Sequence, residues 1–183
     1  STIASVEPKM KERTLTLNGV SKAYCMTGWR LGYCGGPREI IAGMNKMQSQ
    51  STTSTSSISM AASVEALSGD QEFINLHNNQ FKKRRDMVVE NLNQIDGINC
   101  SIPPGAFYVY PSCEGIIGKK TSAGNTINTD KDFMNFLLES EGVAGVHGEA
   151  FGLSPYFRLS YATDEKTLAD ACNRIERACN NLK

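Results

Sequence analysis

GVSKAYCMTGWRLG, residues 19–32, is the stretch on which the reading turns. Before it, TLTLN at 14–18 alternates and contains no proline, which predicts a strand, and Asn18-Gly19 is a turn signal. Behind it, RLGYC at 30–34 predicts a second short strand, ended by Gly35-Gly36-Pro37. Lys22 thus follows a strand and a turn, with apolar neighbours on both sides. A lysine held there is expected to be partly desolvated, which favours the neutral amine, and a neutral amine attacks carbonyls to form an imine. Arg30 follows Thr27-Gly28-Trp29, and Gly28 allows the chain to double back and bring the guanidinium toward the lysine. A planar guanidinium suits bidentate contact with phosphate. On chemistry alone the bland reading stands beside this one: a lysine after a strand is ordinarily a surface residue, and Arg30 could pair with any carboxylate.

The same fourteen residues, 19–32, resemble the cofactor-attachment signature of the fold-type I, class I and II aminotransferases. They are most similar to the branch that contains bacterial aspartate aminotransferases. The resemblance implies that Lys22 forms a Schiff base with pyridoxal 5'-phosphate and later moves a proton at the substrate α-carbon. It implies that Arg30 binds the cofactor phosphate. Gly19 stands where some members place a phosphate-contacting serine, and that role does not pass to the nearby Ser21. Downstream, PYFRLSYA at 155–162 resembles the strand bearing the arginine that grips the substrate α-carboxylate, which places that role on Arg158. GEAFG at 148–152 resembles the loop just before that strand. Gly105-Ala106-Phe107-Tyr108 resembles a small-domain strand whose aromatic reaches toward the substrate, making Phe107 a substrate-binding candidate, with a core aromatic nearly as good a reading.

Outward from the signature, a helix beginning at Pro37 is expected to carry Ile40, Ile41, Met44 and Met47 on one stripe. The polar run 48–59 reads as an ordered connection, and an apolar helix with Met60, Ala61, Val64, Ala66 and Leu67 follows. Residues 70–94 read as a long helix capped by Asp70, with Lys82, Lys83, Arg84 and Arg85 as a solvated face. Residues 98–102 are a weak strand, 106–110 a strong one, and 114–129 a loop. A helix starts at Thr129 or Asp130 and ends at Gly142. A short strand at 143–146, the loop at 148–152 and a strand at 156–162 come next. The last helix, capped by Thr163, repeats Leu168, Ala171, Cys172, Ile175, Ala178, Cys179 and Leu182 at three- and four-residue steps.

Composition excludes several classes. The formal net charge is +0 and 21% of residues are charged, which argues against electrostatic capture by nucleic acid or an acidic membrane. No apolar run approaches the roughly 20 residues that span a bilayer. The six cysteines contain no CxxC and read as free thiols, which suits the cytoplasm. His77 and His147 lack metal-ligand spacing, so no metal is expected.

The expected fold is α/β, a partial fold-type I transferase. Residues 1–69 would be the C-terminal remnant of a large cofactor-binding domain, 70–97 a long connecting helix, and 98–183 a small α+β domain. The resemblance covers the whole chain but only the second half of the family's length, so the residues that bind the pyridine ring are expected to lie upstream. It implies a parent enzyme that transfers an amino group from L-aspartate to 2-oxoglutarate in a two-stage ping-pong cycle. Aromatic amino acids, alanine or prephenate are the alternative substrates. Small amino acids and 2-oxo acids are the expected ligands, and a homodimer or a complementing N-terminal half the expected partner. The chain by itself is expected to bind the cofactor poorly and to be inactive, a structural or dimerisation module.

Overall fold

The computed structural model describes residues 2–183. The chain divides into two compact units, one ending at Leu76 and the other running His77–Lys183, with the boundary inside a single long helix.

The first unit opens with a 3₁₀ turn at Ile3–Ser5 and the short helix α1, Pro8–Lys11. Strand β1, Thr16–Gly19, pairs antiparallel with β2, Gly32–Gly35, in the register Thr16↔Gly35 through Gly19↔Gly32. Both strands start two residues later than their sequence pattern suggests. Arg30 is the reason on the second side: its φ of 51° is left-handed and cannot join a ladder. Helix α2, Arg38–Ser51, starts behind Pro37. The polar run is largely helical, for 48–51 complete α2 and α3 begins at Ser57.

Helix α3, Ser57–Ser68, inverts the usual rule. It buries Ser59 and Ser63, while Ile58 is 78% and Val64 64% exposed. On α2, Ile40, Met44 and Met47 are exposed as well. Among the described residues of this unit, Val20 and Met26 are the buried apolar side chains. A two-stranded ribbon has too little surface to cover two helices.

Helix α4, Glu72–Asn93, crosses the unit boundary, and the Asp70 carboxylate accepts the Glu72 N–H at its start. In the second unit, β3 (Tyr108–Val109), β4 (Val146–His147) and β5 (Phe157–Ser160) form an antiparallel sheet in the order β3-β5-β4. Helices α5, Asp130–Glu141, and α6, Glu165–Asn180, complete it. Val88 and Leu92 of α4, Phe133 and Leu137 of α5, Val109 and Phe157 of the sheet, and Leu168, Cys172, Ile175 and Cys179 of α6 form one continuous core. Each of the valine, leucine, isoleucine and phenylalanine side chains contributes about 1.5–3 kcal/mol on full burial.

Local chemistry explains the element ends. Thr129 caps α5 in a reciprocal box with Asp132, and Gly142, at φ 67°, ends it. The cap of α6 is Asp164 and not Thr163: its carboxylate accepts the Thr167 N–H at 2.9 Å and the Thr167 hydroxyl at 2.6 Å. The expected strand at 106–110 shrinks to two residues because Ala106 sits at φ 64°. The weak strand at 98–102 supplies one bridge, Asn99↔Ser112, and is held instead by the Asn93 amide, which bonds both backbone groups of Cys100. The basic face of α4 is solvated only at Lys82 and Lys83. Arg84 lies over the Phe81 ring, and Arg85 pairs with Asp86 and donates to the Pro103 carbonyl. The short strand expected at 143–146 lies later, for β4 is Val146–His147. Among the described residues, no helix is long and apolar enough to cross a membrane.

Candidate functional site

Lys22 and Arg30 sit on one loop, the connection between β1 and β2 that the Gly19↔Gly32 pair closes. A glycine suits that neck at Gly32, where a Cβ would meet the Asn18 carbonyl oxygen at 3.3 Å, closer than an ordinary contact. Val20 and Met26 turn inward and anchor the loop. Residues 21–24 form a turn in which the Tyr24 N–H donates to the Val20 carbonyl and the Cys25 N–H to that of Lys22. The turn carries Lys22 outward, so this side chain is exposed and not partly desolvated as its apolar neighbours suggest. Those neighbours are the anchors, and an anchor on either side leaves the residue between them facing solvent. Arg30 is exposed too; its Nη1 donates to the Thr27 carbonyl at 3.0 Å, and among the described residues it forms no ion pair.

Tyr24, two positions past the lysine, ties the loop to the α3–α4 junction. Its hydroxyl donates to the Gln71 side-chain oxygen at 2.9 Å, and its ring lies 6.0 Å from that of Phe73. The Gln71 amide donates in turn to the Ala66 and Gly69 carbonyls at the end of α3. A primary amine and a guanidinium held on one glycine-necked loop are the donor set that an aldehyde bearing a phosphate requires, and the residues present fit pyridoxal phosphate in that respect.

In the second unit, Arg158 occupies the central strand β5, opposite Val146. It is half-buried. Its guanidinium lies over two rings, 4.4 Å from the Tyr108 centroid and 4.5 Å from that of Phe151. Among the described residues no carboxylate pairs with it. Aromatic faces hold a guanidinium without consuming its in-plane N–H groups, which leaves the fork able to take an external anion.

Phe107 lies behind this wall. Its ring is 4.4 Å from that of Tyr108 and 6.4 Å from that of Phe81, and it packs against the core. The rings that cover Arg158 are Tyr108 and Phe151, and neither stood out in the sequence. Tyr108 is one position from the chosen aromatic, and Phe151 is the only ring in GEAFG, so proximity to recognised motifs was the available signal. Behind them, the Tyr110 hydroxyl bonds the Gly148 and Leu153 carbonyls, and its ring stacks on that of Tyr156 at 5.5 Å. Burial pushes the Tyr110 phenol above its ordinary value; the Asp130 carboxylate adds to the rise and Arg158 opposes it. Among the described residues no cluster of histidine, cysteine and carboxylate side chains could hold a metal ion.

Comparison with known proteins shows the family. Residues 1–175 match the family model described as "Aminotransferase class I and II". The chain is 57% identical over 182 residues to a "Probable aspartate/prephenate aminotransferase" of Rhizobium leguminosarum bv. phaseoli, covering 100% of this chain and 46% of that protein. It is 56% identical to an aspartate aminotransferase of Rhizobium meliloti strain 1021, covering 99% of this chain and 44% of the relative. The crystal structure of the aspartate aminotransferase from Rhizobium meliloti superposes with a TM-score of 0.96 at 56% identity, over 100% of this chain and 46% of that one. The chain therefore spans about half the length of the curated relatives it matches.

Proposed function

Because the chain belongs to the class I and II aminotransferases, we propose that the protein it represents transfers the amino group of L-aspartate to 2-oxoglutarate, with pyridoxal 5'-phosphate as cofactor. Lys22 would hold the cofactor at its aldehyde and Arg30 would hold its phosphate. When bound, pyridoxal phosphate supplies an electron sink for the substrate α-carbon. Lys22 Nζ would be the group that takes a proton from the substrate α-carbon and returns it. Arg158 grips the substrate α-carboxylate through two parallel N–H bonds, and Tyr108, backed by Phe107, walls the site. The observation that carries this reading is a half-buried guanidinium braced by two rings and lacking a carboxylate partner among the described residues.

Residues 1–69 read as the C-terminal remnant of the large cofactor-binding domain, 70–97 as the connecting helix, and 98–183 as the small α+β domain. The exposed apolar residues of α2 and α3 support a homodimer or a complementing N-terminal half as their cover. Cysteines that are all free suit the cytoplasm. Prephenate is the second substrate reading, favoured by the name of the Rhizobium leguminosarum relative.

The test is borohydride reduction of the full-length protein with pyridoxal phosphate, followed by mass mapping and an assay of aspartate-dependent glutamate formation. The expected adduct is on Lys22, with no adduct and no turnover in Lys22→Ala. An adduct on another lysine overturns the assignment. The 183-residue chain alone is expected to give negligible turnover.

A further inference from the structure

We propose that Asp130 is a positioning residue for the Arg158 fork: it holds both ends of the loop 148–154 so that Phe151 stays over the guanidinium. This rests on the reading of Arg158 as a carboxylate fork. Asp130 is the first residue of α5 and is 1% exposed. Its Oδ2 accepts the Glu149 backbone N–H at 3.2 Å and the Ser154 hydroxyl at 2.8 Å. No lysine or arginine among the described residues pairs with it. A buried carboxylate without a cation opposite is costly to keep, and the α5 N-terminus offsets only part of that cost.

What the carboxylate gains is control of one short loop. Its two donors flank Phe151, one near each end of the loop, so a single oxygen atom staples the loop across the residue that covers Arg158. The same two ends are also held by the Tyr110 hydroxyl, which bonds the Gly148 and Leu153 carbonyls. Gly148 itself is so tightly placed that a Cβ there would lie 2.1 Å from the Leu153 carbonyl oxygen. Between these holds the Phe151 ring, 49% exposed, lies 4.5 Å from the Arg158 guanidinium. Loss of the Asp130 staple leaves both ends of the loop on Tyr110 and the loop's own backbone bonds, and the hold of the ring on the guanidinium loosens.

The experiment is arginine modification of the full-length protein with hydroxyphenylglyoxal, with the rate at Arg158 followed by mass spectrometry. Asp130→Asn and Ser154→Ala are each expected to raise that rate on the order of tenfold, since a clamp loosened by a fraction of an ångström loses its geometry. Phe151→Ala should give the same increase, and combining it with Asp130→Asn should add nothing further. An Arg158 rate unchanged in folded Asp130→Asn, whatever its melting temperature, overturns the inference. Should that variant fail to fold, Ser154→Ala decides in the same way, because it removes one bond and leaves the carboxylate in place. Succinate, a simple dicarboxylate, is the second arm. Failure of succinate to slow modification of the unmutated protein removes the fork reading, while the comparison of variants still decides whether Asp130 positions Phe151.

Discussion

The guanidinium of Arg158 lies over the ring of Tyr108, 4.4 Å from its centroid, and the two residues belong to neighbouring strands of one sheet. A cation on an aromatic face is attracted by the ring quadrupole and held flat. A ring face does not use up the guanidinium N–H groups, and a carboxylate can take two parallel bonds from them.

Tyr108→Leu should therefore weaken dicarboxylate binding by a few-fold, matching the roughly 0.5–1 kcal/mol of an exposed cation–π contact. Tyr108→Phe should preserve it. Arg158→Lys should cost more, about 1.5–3 kcal/mol in kcat/KM, because an ammonium cannot offer two fixed parallel bonds. Calorimetric titration with succinate and steady-state kinetics of the full-length protein read both.

Core and surface helices should respond in opposite ways. Ile175 of α6 is fully buried, and Ile175→Ala should destabilise the second unit by about 2–5 kcal/mol. Val64 on α3 is exposed, and Val64→Ser should change the stability of the 183-residue chain by less than about 0.5 kcal/mol. Urea unfolding of the two variants checks this. A large loss from Val64→Ser would show that α3 is already covered in the protein as it stands.

The thiols should divide by burial. Cys100 is pushed up to about 11 and Cys113 and Cys179 to about 12, each chiefly by burial, and Cys172 is raised for the same reason. Since the thiolate is the nucleophile, these four should stay silent to a disulfide reagent at neutral pH until the chain unfolds. Cys25 is exposed and should supply the fast phase, which Cys25→Ser should abolish.

Stability of the second unit should have an acid limb. Asp132 is held low by the Thr129 hydroxyl, Glu141 by Arg177, and Asp164 by Thr167. A carboxyl whose folded value is depressed contributes its full stabilisation above the ordinary carboxylate range, about 4, and loses it as pH falls through the folded value. Thr129→Ala and Thr167→Ala should flatten that limb, with Thr129→Ala also losing about 0.5–2 kcal/mol at neutral pH through the missing cap. Denaturant midpoints measured from pH 2 to 7 would follow it.

Much of the fold was legible because it is local. The α6 stripe repeats at helical spacing within one segment, and Leu168, Cys172, Ile175 and Cys179 are all buried. The Thr129 cap and the Gly142 stop depend on residues a few positions apart. The β1–β2 loop carrying Lys22 and Arg30 is bounded by patterns that flank it directly, and only its edges shifted, because a left-handed Arg30 has no signature in residue type.

By itself, then, the sequence determined helices α2 to α6, the hairpin and the family, since periodicity, caps and a contiguous signature are properties of neighbours along the chain. Tertiary structure alone decided that α3 buries Ser59 and Ser63 and turns Val64 outward, that Tyr108 and Phe151 cover Arg158, and that Asp130 reaches Glu149 and Ser154. The physical reason is distance along the chain: those contacts join residues far apart in sequence, and which of them meet depends on how packed elements cross, a quantity that no local pattern carries.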